Sequence, residues 1–70
     1  MNSKVMKATM KLNDDTQEKL AEALGIQTSG VSARINGTID FRASEISLIR
    51  RRYKLSDEET ARIFFDSDAS

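Results

Sequence analysis

The stretch that most constrains this chain is residues 16–36, with the sequence TQEKLAEALGIQTSGVSARIN. Both halves of this stretch carry apolar side chains at helical spacing, namely Leu20, Ala21, Leu24, Val31 and Ile35. Gly25 divides the halves, and glycine favours the left-handed backbone conformation at which many helices end. Ala21 and Gly25 are also small enough to let two helices cross closely. The pattern therefore predicts two short helices joined by a tight turn.

This arrangement is the layout of a helix-turn-helix, whose second helix can enter the major groove of DNA. Caps are expected at both helix starts. Asp15 or Thr16 would cap the first, and Asp15 has capping-box spacing to Glu18. Gln27 or Thr28 would cap the second.

Residues 3–12 fit two patterns. Apolar and polar side chains alternate there as in a strand, but Met6 and Met10 also lie one helical turn apart. We favour a helix, because an isolated strand would have no partner elsewhere in the chain. The two methionines would then fill the core against the next helix.

The C-terminal half predicts two more helices. Residues 43–53 place their apolar side chains on one face, and Phe41, just before them, is expected to anchor in the core. Ser56 and Glu59 have the spacing of a capping box and begin the last helix. We assign the apolar face of that helix to Ala61, Phe64 and Phe65.

Together these elements predict an all-α fold, a compact bundle of about five short helices that contains a helix-turn-helix. Residues 1–66 would form a single domain with the motif at residues 16–36, and residues 67–70 a frayed C-terminal tail. A chain of 70 residues buries only about 60% of its unfolded surface. Oligomerisation commonly supplements so small a core.

Composition argues against catalysis. The chain has no histidine and no cysteine, which removes the commonest general base, thiolate metal ligands and disulfides. No glycine-rich phosphate loop followed by lysine occurs, and no apolar run approaches the roughly 18 residues of a membrane span. We therefore predict a protein without catalytic residues, cofactor, metal site or membrane contact, located in the cytoplasm.

The charges balance, with 11 Lys and Arg against 11 Asp and Glu. Neutralising phosphates supplies most non-specific affinity for nucleic acid, so a net charge of zero is unusual in a DNA-binding protein. The charges are unevenly distributed, however. Residues 1–13 carry three lysines and no acid, whereas residues 57–68 carry five acids and one arginine. A locally basic face is therefore compatible with the neutral total.

The string TQEKLAEALGI, with its threonine cap, its glutamine at the helix start, Leu20-Ala21 and Leu24-Gly25-Ile26, resembles the DNA-binding unit of the phage Cro/repressor-like helix-turn-helix family. The downstream FRASEISLIRRRYKLSDEETARIFF resembles the tail of a subgroup of small phage and prophage regulators. The resemblance covers nearly the whole chain. It implies a regulator of a phage genetic switch, acting in the cytoplasm of a bacterial host cell.

The resemblance also implies which residues meet DNA. Gln17 would lie near the phosphate backbone, and the third helix would present Gln27, Thr28, Ser29, Ser32, Ala33 and Arg34 to or beside the groove. From chemistry alone, Arg34 and Arg42 are the best phosphate ligands, because a guanidinium suits phosphate geometry. The turn with Asn36 and Thr38 would add phosphate contacts.

Each of these assignments has a structural alternative. The polar residues also suit a cap and a solvated surface, and the two arginines could pair with Asp40 or Glu45. Gly30 is unfavourable inside a helix. It indicates either a close approach of a phosphate or partner backbone, or tight packing on the second helix.

A protein interface is the remaining candidate site. Phe64 and Phe65 are adjacent, so both cannot enter one small core equally. One of them, with Ile63 or Leu48, would be exposed for a dimer or partner contact. The alternative is that both phenylalanines are half-buried on their own domain.

Two functions stay open at this point. In the first, the chain binds a double-stranded DNA operator as a homodimer and regulates transcription. In the second, it is an antirepressor or modulator of repression, which binds the phage's main repressor protein rather than DNA. The neutral charge and the single cation of the third helix are compatible with the second.

Overall fold

The computed structural model describes residues 1–65, and within them the chain contains five helices and no strand. The helices are α1 (Ser3–Leu12), α2 (Gln17–Leu24), α3 (Thr28–Ile35), α4 (Ala43–Arg52) and α5 (Asp57–Phe64). The predicted all-α fold, a compact helical bundle, is confirmed. The predicted frayed tail at residues 67–70 lies outside the described residues.

Helix α1 forms where the sequence also allowed a strand. Its N-cap is Asn2, whose side chain accepts a hydrogen bond from the Val5 N–H at 3.2 Å. Met6 and Met10 are buried on one face, as helical spacing requires. The Asn2 N–H donates to the Ile63 carbonyl at 2.7 Å, which fastens the start of α1 to α5.

One face of every helix contributes to a single core. Its buried apolar members are Met6, Met10, Leu20, Ala21, Val31, Ile35, Ile49, Tyr53, Leu55 and Ile63. Phe41 and Phe64 pack against this core with their rings edge to face, at a centroid distance of 5.6 Å. Phe41 therefore anchors the connection between α3 and α4, as predicted.

The turn between α2 and α3 owes its shape to Gly25. This residue has φ of 72°, in the left-handed region that only glycine adopts readily. A Cβ atom added there would meet no other atom within 4 Å. The glycine is thus needed for its backbone conformation, and the expectation that it allows close helix crossing was wrong.

The helix caps confirm part of the prediction. Thr16 caps α2 by accepting from the Lys19 N–H at 3.1 Å, and Gln27 is the N-cap of α3 without a side-chain hydrogen bond. Ser56 and Glu59 form the predicted capping box, with reciprocal bonds of 3.0 and 2.9 Å.

Asp15 makes a tertiary link rather than the expected cap. Its carboxylate accepts from Nε and Nη2 of Arg52, both at 2.9 Å, and from the Tyr53 hydroxyl. The side chain is only 4% exposed. The hydrogen bonds from Arg52 lower the pKa of Asp15 from 3.8 to about 2. This link joins the start of the helix-turn-helix to the end of α4.

The buried face of α5 differs from the predicted one. Thr60 and Ile63 face the core, whereas Ala61 and Phe65 are exposed and Phe64 is half-buried. Thr60 can be buried because its hydroxyl donates to the Ser56 carbonyl at 2.8 Å. The predicted face counted only hydrophobic residues, so it omitted Thr60, and it placed Ala61 and Phe65 on the buried side in place of Ile63.

Candidate nucleic-acid interface

The first half of α3 presents a polar, uncharged surface. Gln27, Thr28 and Ser29 follow one another at the start of this helix, and all three are exposed. Val31 and Ile35, on the opposite face, are fully buried against the core. The helix is therefore held by its apolar side and is free to offer its polar side to a partner.

A second exposed group follows α3 in the chain. Asn36 and Thr38 lie in the turn after the helix, and Arg42 is the exposed N-cap residue of α4. The turn is held to α3 by a hydrogen bond from the Thr38 N–H to the Ala33 carbonyl at 2.9 Å. Of the residues predicted to meet DNA, three others are only half-exposed, Gln17 at the start of α2 and Ser32 and Ala33 within α3.

Arg34 does not join this surface. Its Nε donates to Oε1 of Glu45 at 3.0 Å, and its Nη1 donates to the Gly30 carbonyl at 2.9 Å. The Arg34 side chain is 10% exposed and that of Glu45 is 9% exposed. The predicted placement of Arg34 beside the groove was wrong. The residue lies one helical turn after Val31, on the face that packs inward.

Glu45 also shapes the start of α4. The oxygen that receives Arg34 accepts a second hydrogen bond, from the backbone N–H of Arg42, at 2.8 Å. Burial raises the pKa of Glu45, but these hydrogen bonds and the positive charge of Arg34 outweigh burial and lower the pKa overall. The ionised carboxylate therefore lies at the start of α4, where a helix favours a negative charge.

Gly30 has a role that neither interpretation of the sequence anticipated. A Cβ atom at this position would lie 3.1 Å from Nη1 of Arg34 and 3.5 Å from Cδ1 of Ile26. The glycine thus leaves room for the buried guanidinium, which also bonds its carbonyl. A glycine four residues before an arginine was the signal in the sequence for this contact.

Comparison with known families identifies this helical arrangement. A family model described as helix-turn-helix matches residues 6–62, which reach from α1 into α5. The chain belongs to the helix-turn-helix family. The match is to its Cro and repressor type, whose members are DNA-binding regulatory domains. No match was found among curated proteins or among solved structures.

The predicted interface residues of this helix-turn-helix domain are placed unevenly. Phe65 is 74% exposed, whereas Leu48 and Phe64 are half-buried. Ile63 is 1% exposed and belongs to the core, so its expected exposure was wrong. The reason is the orientation of α5 on the core, which turns Ile63 inward together with Thr60.

Residues 1–65 contain no group of three or more carboxylate side chains placed to hold a metal ion. Their helices include none that is long and apolar enough to cross a membrane.

Proposed function

We propose that this helix-turn-helix domain is a transcription regulator of a phage or prophage genetic switch, and that it reads operator DNA with α3 in the cytoplasm of a bacterial host. The observation that carries the proposal is the exposed polar run Gln27, Thr28 and Ser29 at the start of α3, on a helix whose opposite face is buried in the core. Membership of a family of DNA-binding regulators supports it.

We assign some of the exposed groups to base contacts and others to phosphate contacts. The amide of Gln27 can bond both N6 and N7 of an adenine, and the hydroxyls of Thr28, Ser29 and Ser32 can meet base edges or phosphates. Arg42, Asn36, Thr38 and Gln17 would bind the phosphate backbone and set the orientation of the helix. Arg34 has no direct contact in this scheme, because it is bound to Glu45.

A homodimer would suit such an operator. A domain with one reading helix covers one half-site, and dimers of this class bind two half-sites about 10 base pairs apart. The exposed ring of Phe65 and the half-buried side chains of Leu48 and Phe64 are the apolar groups that we propose for the interface.

The test begins with selection of tight-binding duplexes of about 20 base pairs from a random library, a length that holds two half-sites. Affinity for the selected duplex is then measured by fluorescence anisotropy at several salt concentrations. Arg42→Ala is expected to weaken binding and to reduce the salt slope by about 1, as the loss of one phosphate contact does. Its side chain makes no cap hydrogen bond, so the variant should stay folded.

Arg62→Ala is the matched control. Arg62 is exposed on α5 and lines a groove with residues of α1, and none of the residues of that groove belongs to the proposed surface. We therefore expect Arg62→Ala to change the affinity and the salt slope less than Arg42→Ala does. Failure of the wild-type protein to bind any duplex at micromolar concentration would contradict the proposal.

A second candidate function is supported by the charge of α3. Its one cation, Arg34, is buried against Glu45, so the described surface of this helix is uncharged. An uncharged polar surface also suits a protein partner, and the chain would then act as an antirepressor that covers the phage's main repressor. Co-purification with the repressor encoded beside it, without DNA binding by the chain alone, would favour this function.

A further inference from the structure

We infer that Arg34 and Glu45 are positioning residues, which hold the phosphate-contacting segment at residues 36–42 in a defined place relative to α3. The inference rests on the proposed function, because the segment that they position is part of the proposed DNA-binding surface. Neither side chain touches DNA. Their effect passes through the backbone at the start of α4.

The chain of contacts begins inside α3. The guanidinium of Arg34 is held at two points, by the Gly30 carbonyl at 2.9 Å and by Oε1 of Glu45 at 3.0 Å. Since Gly30 has no Cβ, the planar group can lie close against the helix. Two fixed points define the orientation of a planar guanidinium much better than one.

The contacts continue into α4. The same Oε1 of Glu45 accepts from the Arg42 N–H at 2.8 Å. One oxygen atom therefore accepts hydrogen bonds both from Arg34 of α3 and from Arg42, the last residue of the segment. At the other end of the segment, the Thr38 N–H is bonded to the Ala33 carbonyl. Residues 36–42 are therefore fastened at both ends, and Arg42 projects from the end that Glu45 holds.

Burial makes this arrangement suited to positioning rather than to contact. With both side chains about nine-tenths buried, water competes little for their hydrogen bonds. A buried ion pair often adds little net stability over apolar residues of the same size. Movement of Arg34 to a phosphate would leave the buried carboxylate of Glu45 without its partner, which is costly.

The test uses the sign of the change in affinity. Glu45→Ala removes a negative charge near the proposed DNA surface, so simple electrostatics predicts tighter binding. If Glu45 acts by positioning Arg42, its removal should instead weaken binding. We expect Glu45→Ala to bind the duplex selected with the wild-type protein about tenfold more weakly, the loss of about one well-placed contact.

Two further variants separate geometry from charge. Glu45→Gln keeps an oxygen acceptor for both donors and is expected to bind at least as well as the wild type. Asp40→Ala removes an exposed acid from the same segment without removing the link, and it should not weaken binding. Unchanged or tighter binding by Glu45→Ala overturns the inference. So does a Glu45→Gln variant that binds as weakly as Glu45→Ala.

Affinities are compared at a temperature where thermal unfolding shows every variant to be folded. If Glu45→Ala does not fold, Gly30→Ala takes its place. Its new methyl group would lie 3.1 Å from Nη1 of Arg34 and push the guanidinium a few tenths of an ångström from its place, while alanine favours the helix. The methyl group points towards Ile26 and Arg34, so it does not obstruct DNA directly. Binding as tight as the wild type by folded Gly30→Ala overturns the inference.

Hydrogen exchange distinguishes a failure of the inference from a failure of the proposed function. The Thr38 amide is not touched by the substitution at Glu45, yet it should exchange about tenfold faster in Glu45→Ala than in Asp40→Ala if the link holds the segment closed. If the wild-type protein binds no DNA, the proposed function fails while this measurement still reports on the link. Equal exchange rates in the two variants overturn the inference.

Discussion

A buried ion pair is a costly element in a domain of this size, and loss of Arg34 is therefore expected to lower stability strongly. Desolvation of the two charges offsets much of their attraction, whereas loss of one partner leaves the other charge buried and uncompensated. Stability therefore depends more on the contacts of this one guanidinium, which is bonded to Gly30 and Glu45, than on the number of ion pairs.

Arg34→Met is expected to lower the free energy of unfolding by about 3 kcal/mol, as measured by urea unfolding. The double variant Arg34→Met/Glu45→Met should recover most of this loss, because no unpaired charge remains. Arg50→Met is the matched control. Its ion pair with Asp57 is 47% and 87% exposed, so its loss should cost less than about 1 kcal/mol. Equal losses for the two arginines would contradict the prediction.

Gly25→Ala tests the backbone conformation at the turn of the motif. A residue with a Cβ pays about 1 kcal/mol in the left-handed region, and Gly25 has φ of 72°. We expect a loss of that size in thermal unfolding experiments, with no steric part, because the space around the glycine is open. A loss several times larger would contradict the prediction, because it would show that close packing at this position also contributes to stability.

At the scale of the elements, the helices of the motif begin in different ways. Thr16 caps α2 with its side chain, whereas Gln27 precedes α3 without a cap bond. This difference releases Gln27 for a partner, while α3 relies on its buried side chains for stability. The start of the proposed reading helix is therefore less stabilised locally than the start of α2.

Substitutions at the two caps should separate stability from binding. Thr16→Ala is expected to lower the free energy of unfolding by about 1 kcal/mol, because the Lys19 N–H loses its acceptor. Gln27→Ala should change stability by only a few tenths of a kcal/mol. In anisotropy titrations, however, Gln27→Ala is expected to weaken binding and relax the preference at one base pair. Equal stability losses would refute this assignment of the caps.

At the scale of the whole molecule, Asp15 connects the turn after α1 to the end of α4. Because its pKa is about 2 in the folded protein, against 3.8 normally, ionised Asp15 favours folding by about 2 kcal/mol. This contribution is fully present well above pH 3.8 and is lost as the pH falls through about 2.

The wild-type protein should therefore lose stability on acidification more steeply than Asp15→Asn between about pH 5 and pH 2, in urea unfolding at a series of pH values. Arg52→Met should flatten the same part of the profile, since it removes the group that lowers the pKa of Asp15. Parallel profiles for all three proteins would contradict the assignment.

The exposed apolar ring of Phe65 bears on assembly. If Phe65 lies in a homodimer interface, Phe65→Ser should shift the protein from dimer to monomer in sedimentation equilibrium. Leu12→Ser is the matched control, because Leu12 is also an exposed hydrophobic residue, at 85%, but lies on α1. A dimer that survives Phe65→Ser, or one that only Leu12→Ser dissociates, would place the interface elsewhere.

Local signals in the sequence were enough to predict the helices and the motif. The periodic apolar residues of α2 and α3, the capping box at Ser56 and Glu59, and Gly25 at the turn act through neighbours a few residues away. Such effects depend little on the rest of the fold. The sequence alone therefore determined the all-α class, the approximate helix boundaries and the helix-turn-helix.

Only the tertiary structure decided which way several side chains face. The rotation of each helix about its axis depends on all the helices packed against it, so Arg34 and Ile63 proved to be buried and Phe65 exposed. The partners of Asp15 lie 37 and 38 residues away in the chain, beyond the reach of local patterns. The sequence was enough to predict the motif. Packing decided which residues its surface presents, because it buries Arg34 and leaves the polar residues at the start of α3 exposed.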